Sequence, residues 1–337
     1  MATVSQAPAT RSSPLAESPQ ATTLLGLLTS AVRDPSQRMG LVGLAACLAL
    51  FAWMFRDCLS HFVYAWTQDE NYSHGFLVPF ISLYFANLSA QKGPVPIKGG
   101  LSLGLVCLGI ALAIRMLTIP LPIPFLADLA LVLGLAGLCA VLYGRGALRR
   151  YWFAFFFLIF MIPLPVALYS RIASPLQLLA SQVASTVMNA TGVPVLREGN
   201  KMTLPGDVEM FVAEACSGMR QLTGFMALTA AVAFLTNRPV WYRILIMFSA
   251  IPIALTANIA RVVLTGYIMH FVNPKYAAGP YHTLEGLLLM GFGLMLLNLE
   301  CWGLDRLIRL AEPPATEPPG REDQGRTSPQ PSSILGW

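Results

Sequence analysis

The segment Val212-Ala-Glu-Ala-Cys-Ser-Gly-Met-Arg220 places the thiol of Cys216 between a carboxylate and a guanidinium, just before a long apolar run. A thiol attacks a carbonyl as its thiolate, and positive neighbours favour that form. Arg220 follows Cys216 by four residues, so both share a face if a helix has begun. Glu214 opposes the thiolate unless an arginine neutralises it; it could orient a partner or simply stabilise a helix start. Cys216 is therefore the candidate nucleophile.

The composition indicates what kind of structure must position this segment. Of the 337 residues, 55% are hydrophobic and only 12% are charged, and the mean hydropathy is +0.61. Charged residues ordinarily make up about a quarter of a soluble domain. We therefore expect an all-α, polytopic membrane protein. Its net charge of +5 is expected to reflect membrane orientation, with no nucleic-acid partner.

Eight apolar stretches are about long enough to cross a bilayer, which predicts roughly eight transmembrane helices. They run over 39–56, 75–90, 101–119, 125–143, 151–169, 221–237, 243–271 and 283–303. Between the fifth and sixth stretches, Ile172–Ala190 has the pattern of an amphipathic or re-entrant helix, and Val193–Val212 alternates like short strands. These two segments predict a small external element between helices 5 and 6.

Lysine and arginine residues predict the orientation in the membrane. If the spans alternate, one side receives Arg33, Arg38, Lys92, Lys98, Arg145, Arg149, Arg150, Arg238, Arg243, Arg306 and Arg309. The other side receives only Arg56, Arg171, Arg197, Lys201 and Lys275. Because basic residues accumulate in cytoplasmic loops, both termini are predicted to be cytoplasmic, in the cytoplasmic (inner) membrane. Cys216 then lies at the external, periplasmic end of the sixth span.

The two ends of the chain have polar compositions. Residues 1–38 predict a flexible cytoplasmic tail, and the first span is expected to be an uncleaved anchor because no short basic stretch directly precedes an apolar core. Residues 39–310 form the expected transmembrane domain, and 311–337 predict a disordered cytoplasmic tail. No P-loop, dinucleotide-binding glycine pattern or metal-ligand cluster has convincing spacing, so we expect neither a cofactor nor a metal.

Arg261 is the second candidate, because it lies well inside the apolar run 243–271 with Asn258 three residues earlier on the same helical face. An intramembrane arginine is costly unless it faces protein, water or a partner. At about 1.5 Å per residue from the cytoplasmic end, Arg261 reaches the external third of the bilayer, the level of Cys216. The alternative is a structural arginine, a role that suits Arg115 better because Arg115 is more central and has no polar neighbours in sequence.

Two histidines are candidates for acid–base chemistry, since the pKa of an imidazole is close to neutral pH. His282 stands at the external start of the eighth span, and His74 stands at the start of the second. His61, expected in an external loop, has no suggestive neighbours. The residues alone leave His282 and His74 as competitors for this role.

Cysteine positions leave one alternative role for Cys216. Cys58 is expected at an external span end as well, so a disulfide between Cys58 and Cys216 competes with the nucleophile hypothesis. The remaining cysteines lie within apolar spans and are expected to pack as small hydrophobes: Cys47, Cys107, Cys139 and Cys301.

Three polar motifs resemble the exosortase/archaeosortase family in order and spacing. They are Glu214-Ala-Cys-Ser-Gly-Met-Arg220, Ile251–Arg261 followed by Leu264-Thr-Gly266, and Tyr281-His282 before Glu285-Gly286. The segment Asp69–Pro79 is similar to the early motif of that family, although Glu70-Asn71 stands where many members have a proline after the aspartate. Together the matches cover roughly residues 40–305.

The resemblance implies a membrane-embedded cysteine transpeptidase. Its partners would be exported proteins with a C-terminal tripartite signal, which consists of a Pro-Glu-Pro-type motif, an apolar helix and a basic end, and the acceptor would be a membrane lipid or saccharide. The invariant residues of the family correspond to Cys216, Arg261 and His282. We consider Glu214, Arg220, Asn258 and His74 as supporting or substrate-binding candidates.

Three other classes of protein fit the same residues. A transporter or flippase for an envelope polymer would also contain an intramembrane arginine, but would not depend on a thiol. A purely hydrolytic intramembrane protease would release its product without attaching an acceptor. An assembly subunit with a Cys58–Cys216 disulfide would have no catalytic thiol. The sequence leaves the oligomeric state open.

Overall fold

A computed structural model describes residues 23–93, 95, 99–121, 123–212, 219–273, 275 and 280–311. The α-helices in this part of the chain are α1 Leu24–Arg33, α2 Pro35–Met54, α3 Arg56–Gln68, α4 Val78–Ala90, α5 Leu101–Thr118, α6 Pro124–Phe157, α7 Val166–Ala190, α8 Met219–Leu235, α9 Val240–Phe271 and α10 Pro280–Ala311. Two 3-10 helices cover Glu70–Phe76 and Leu158–Met161, and three strands cover β1 Leu196–Glu198, β2 Lys201–Leu204 and β3 Val208–Phe211.

Long apolar helices dominate the described chain. Five are long and apolar enough to cross a membrane: Pro35–Met54, Leu101–Thr118, Pro124–Met161, Val240–Phe271 and Gly286–Ile308. A shorter apolar helix covers Arg220–Leu235. The chain is thus a polytopic, mostly helical membrane protein, as its composition predicts, while the number of eight spans stays a prediction.

The N-terminal stretch contains a short helix before the first span. α1 occupies Leu24–Arg33, inside the region for which the sequence predicts a flexible tail. The Thr23 side chain accepts a hydrogen bond from the backbone N–H of Gly26 and so caps α1. Asp34 caps α2 in the same way, and Pro35 at its first position suits a helix start.

Helix α6 contains the fourth predicted span and only the first part of the fifth, 151–169, which was wrong as one continuous helix because the chain leaves the α-helical conformation after Phe157 and α7 begins at Val166. Its 34 residues would extend about 50 Å as one straight helix, well beyond a hydrocarbon core of about 30 Å. Gly144 breaks the run with φ 83° and ψ 174°, a conformation that glycine adopts far more readily than other residues. The backbone N–H of Arg145 then donates to the carbonyl of Gly99, 2.8 Å away, which joins this break to the start of α5.

Small residues let α5 approach the first half of α6 closely. A Cβ atom on Gly104 would lie 2.6 Å from the backbone nitrogen of Val141, and one on Gly137 would lie 3.0 Å from Cβ of Cys107. Close approach through small residues is typical of helix pairs in membranes. The sequence between 101 and 143 therefore forms a tight helical pair.

Aromatic rings join α4, α6 and α8. The ring of Phe85 meets those of Phe153, Phe157 and Phe234 edge-on, at centroid distances of 4.9, 5.1 and 5.3 Å. Phe153 and Phe234 stack on each other at 3.8 Å. Such ring pairs contribute beyond the area they bury, so this cluster fixes the position of α8 in the bundle.

The region between α7 and α8 forms the small element that its sequence pattern predicts. β1, β2 and β3 make an antiparallel sheet in that order, with Met202 opposite Met210. Both methionines are buried and pack with Met188 of α7 and Val262 of α9. The sheet therefore covers α7 and α9 next to the position of Arg261.

Substituting Gly293 by alanine should destabilise the bundle. A Cβ atom at this position of α10 would overlap Cζ of Phe225 in α8, whose ring is buried. Overpacking of this kind costs about 1–3 kcal/mol. The matched control is Gly291→Ala, because no atom lies within 4 Å of a Cβ there. Thermal unfolding in detergent should distinguish the two variants, and equal unfolding temperatures would contradict this α8–α10 contact.

Candidate active site

The predicted site around Cys216 adjoins the start of α8. Cys216 and Glu214 lie outside the described residues, and the helix begins immediately after them at Met219. Arg220, in its first turn, forms an ion pair through Nη2 with Oε2 of Glu70. Arg220 therefore joins the start of α8 to a segment that is far away in the sequence.

Arg261 lies inside the bundle, between the starts of two helices. Arg261 is only 4% exposed. The positive charges of Arg261 and Arg220 are close enough to repel each other. On the other side, a Cβ atom on Gly286 of α10 would lie 3.9 Å from Nη2 of Arg261. The guanidinium thus reaches the level at which α8 begins, as counting residues along the span predicts.

Asn258 lies one turn before Arg261 and faces the interior with it. Asn258 is 2% exposed, and its Oδ1 atom has no hydrogen-bond partner among the described residues. Buried polar atoms are nearly always hydrogen-bonded, so an unpaired one suggests a site for a ligand or for water. This geometry fits the supporting role predicted for Asn258.

Gln221 is a buried polar residue that sequence reasoning did not select. It follows Arg220 in α8, and neither atom of its side-chain amide has a hydrogen-bond partner within the described chain. An amide presents one acceptor and two donors. Its place in the first turn of α8 puts it near the candidate site, and its position directly after a charged motif was the only available signal.

His282 lies in the first turn of α10. The helix starts at Pro280, and Gly286, which adjoins Arg261, follows His282 by one turn. The side chain of His282 is outside what the structure describes. The described backbone therefore brings three parts of the chain together: the start of α8 after Cys216, the start of α10 at His282, and Arg261 between them.

His74, the competing histidine, binds a backbone carbonyl. Its Nε2 lies 3.2 Å from the carbonyl oxygen of Phe160, and since a carbonyl only accepts, this nitrogen carries the proton. Burial lowers the pKa of His74, and the bond to Phe160 offsets part of that effect. His74 is therefore neutral at neutral pH, and one of its ring nitrogens is already hydrogen-bonded to the backbone.

The segment that contains His74 is fixed from several directions. Oδ1 of Asp69 accepts hydrogen bonds from the backbone and side-chain nitrogens of Asn71, at 2.9 and 2.7 Å. The hydroxyl of Tyr72 accepts from the backbone N–H of Leu164 at 3.0 Å. The hydroxyl of Thr223 in α8 donates to the carbonyl of Asn71 at 3.4 Å. Residues 69–76 of the early motif thus form an anchored wall beside the start of α8.

Arg115 has no polar neighbours in sequence, but the fold gives it polar partners of the kind that a structural arginine needs. Its Nη2 forms an ion pair with Asp57, and its Nε donates to the carbonyl of Met54 at 3.2 Å. These partners lie near the junction of α2 and α3, far from Arg115 in sequence. The residue joins α5 to that junction.

Cys58 lies in a second buried polar cluster and is a free cysteine. It is 3% exposed and adjoins Asp128, whose side chain is fully buried. Burial, together with the negative charge of Asp128, raises the pKa of the Cys58 thiol to about 12. Nδ1 of His61 lies 3.0 Å from Oδ2 of Asp128, and this hydrogen bond raises the pKa of His61. His61 therefore lies in helix α3 with a carboxylate partner and not in a loop, while its external position stays a prediction.

The Cys58 thiol should resist alkylation by maleimide in the folded protein, with or without a reductant. Burial restricts access to the thiol, and its raised pKa leaves almost no thiolate. Mass analysis of the Cys58 peptide should show modification only after denaturation. A disulfide with Cys216 predicts the contrary result, which is that reduction alone exposes the thiol to the reagent.

An apolar groove of about 390 Å³ lies between α7, α9 and α10. Its lining from α9 includes Thr256, Ile259, Ala260 and Val263. At 3.6 residues per turn, Thr256, Ile259 and Val263 lie on the opposite face of α9 from Arg261, and Ala260 lies on the flank between the two faces. The groove is therefore separate from the candidate active site.

A family model of transmembrane exosortases matches residues 66–299. The match covers well over half of the 337 residues and contains the start of α8, Arg261 and the start of α10. Comparisons with curated proteins and with solved structures gave no match. Because the family match includes all three parts of the candidate site, together with the helices and the sheet that position them, the chain belongs to the transmembrane exosortase family.

Proposed function

We propose that the chain is a membrane cysteine transpeptidase. It cleaves the C-terminal sorting signal of exported proteins, of the Pro-Glu-Pro type, and transfers them to a lipid or saccharide acceptor. The observation that supports this most is the buried guanidinium of Arg261 beside the starts of α8 and α10. A charge inside a membrane bundle is costly, and charges there usually mark function.

In this proposal Cys216 is the nucleophile. Its thiolate attacks the carbonyl carbon of the scissile peptide and forms a tetrahedral intermediate. The carbon–nitrogen bond then breaks, a thioester with Cys216 remains, and His282 donates a proton to the departing amine. His282 is preferred to His74 because Nε2 of His74 is bonded to the carbonyl of Phe160.

Arg261 stabilises negative charge in the proposed reaction. Its guanidinium favours either the thiolate or the oxyanion of the tetrahedral intermediate. Such interactions are stronger in surroundings from which water is excluded, and Arg261 is buried. Asn258, one turn away, adds an amide that can orient the substrate or a bound water.

The second half of the reaction releases the product. A hydroxyl or amine of the acceptor attacks the thioester and gives its proton to His282, the carbon–sulfur bond breaks, and Cys216 leaves as the thiolate. Transfer is faster than hydrolysis only when water is excluded from the thioester. We place the site at the external face of the cytoplasmic (inner) membrane, with both termini cytoplasmic, on the distribution of lysine and arginine.

Mass analysis of the substrate's new C-terminus tests the proposal. A lipid or saccharide mass attached to the processed C-terminus is the expected result. A free carboxylate would instead indicate a hydrolytic protease. If full-length substrate persists in the presence of the intact protein, processing is not its activity and the transporter or flippase class gains support.

A further inference from the structure

The ion pair between Glu70 and Arg220 connects two motifs that are 150 residues apart in the sequence. Arg220 is in the first turn of α8, directly after the segment that contains Cys216. Glu70 begins the 3-10 helix Glu70–Phe76. One contact therefore joins α8, which follows the candidate nucleophile in sequence, to the anchored wall beside it.

We propose that Glu70 is a positioning residue of the exosortase site. Its carboxylate holds Arg220, and through Arg220 it fixes the start of α8 and the attached Cys216 segment relative to Arg261. This role rests on the proposed function and extends it to a residue at which the chain departs from the early motif it resembles.

Electrostatics gives a reason for a carboxylate at this place. Arg220 and Arg261 repel each other across the site. Two like charges at close range would tend to drive the start of α8 away from α9. Glu70 supplies the opposite charge on the side of Arg220, while Asp69 is also within electrostatic range of that arginine. The pair thus offsets part of the repulsion between the two arginines.

The anchoring of the wall makes Glu70 suitable for positioning. Asn71 is held by Asp69 and accepts a hydrogen bond from Thr223, and Tyr72 binds the backbone of Leu164. Glu70 precedes these residues directly, so its backbone has little freedom. A carboxylate on a fixed backbone can define the place of the helix that it binds.

A merely stabilising role predicts a different result from a positioning role. The Glu70 side chain is 75% exposed, and exposed ion pairs add little to stability. Loss of the pair should therefore leave the unfolding temperature nearly unchanged. It should instead lower kcat, because small errors in the placement of a reacting group slow a reaction strongly.

The test is an exchange of charges in the full-length protein in proteoliposomes. Glu70→Arg and Arg220→Glu are measured singly and together, with a membrane-inserted substrate that carries a C-terminal sorting signal. Each single variant should lower kcat by about 10- to 100-fold with KM little changed. The double variant should recover most of that loss, which is the mark of a direct interaction.

A second ion pair provides the matched control. Arg238 and Asp305 are 3.0 Å apart, near the other end of α8. Reversing the charge of either residue alone breaks a comparable contact far from the site, so kcat should stay unchanged. If the two single losses in kcat simply multiply in the Glu70/Arg220 double variant, there is no interaction between the residues and the proposal is overturned. Single variants with normal kcat would overturn it as well.

The outcome can be separated from that of the proposed function. If Cys216→Ala still processes the substrate, the transpeptidase mechanism itself fails. If Cys216→Ala abolishes processing and the charge exchange shows no recovery, only the role of Glu70 is wrong.

Discussion

Replacing Cys216 by alanine should leave a folded, membrane-inserted protein that accumulates full-length substrate. The thiolate is the attacking group in the proposed mechanism, and no other group replaces it. Loss of a nucleophile commonly lowers kcat by about a thousandfold or more. Processing can be followed by the mass shift of a substrate that carries the sorting signal. Serine at this position should be nearly as inactive, because its hydroxyl is far less acidic than a thiol.

Cys47→Ala is the matched control for the loss of a thiol. Cys47 is an exposed cysteine of α2, and it lies outside the candidate site. Its replacement should leave processing unchanged. Normal processing by Cys216→Ala would refute the cysteine mechanism and favour a class of protein that needs no thiol.

Replacing Arg261 by lysine should lower kcat by about 100- to 1000-fold, the usual effect of removing one group that stabilises an oxyanion. Lysine keeps the positive charge but loses the planar group with five N–H donors. The unfolding temperature should change much less than the rate. Single-turnover cleavage in proteoliposomes measures the effect, with the amount of folded protein determined in parallel.

Arg115→Lys separates catalysis from structure. Arg115 is the other strongly buried arginine in the described chain, at 8% exposure against 4% for Arg261. Because Arg115 binds Asp57 and the carbonyl of Met54, its replacement should lower stability and leave kcat per folded molecule intact. If Arg261→Lys behaved in the same way as Arg115→Lys, Arg261 would be the structural arginine that its sequence position also allows.

The long helices could be predicted closely from the sequence. The stretch 101–119 corresponds to α5 at Leu101–Thr118, and 243–271 corresponds to α9 at Val240–Phe271. Hydropathy is a local property, so the ends of an apolar run can be found without knowing its neighbours. The alternation of polar and apolar residues at 193–212 is local as well, so it could predict strands there, and this segment forms the three-stranded sheet.

The contacts between distant polar residues could not be predicted. Arg115 has no polar neighbours along the chain, yet it binds Asp57, and Arg220 binds Glu70. An ion pair leaves no periodic signal at either residue, because its partner is determined by how the helices pack. The position of Arg261 level with the start of α8 could be estimated, because it depends on counting residues along one helix, and its depth in the membrane stays a prediction.

The absence of a side chain at Gly286 has a consequence for the specificity of the site. On this side the guanidinium of Arg261 faces a backbone, and a Cβ atom there would lie at van der Waals distance, 3.9 Å from Nη2. A backbone cannot change rotamer to admit a larger group. The width of the site on this side is therefore set by the packing of α10 against α9, and a substitution at position 286 would narrow the site by a defined amount without replacing a candidate catalytic residue.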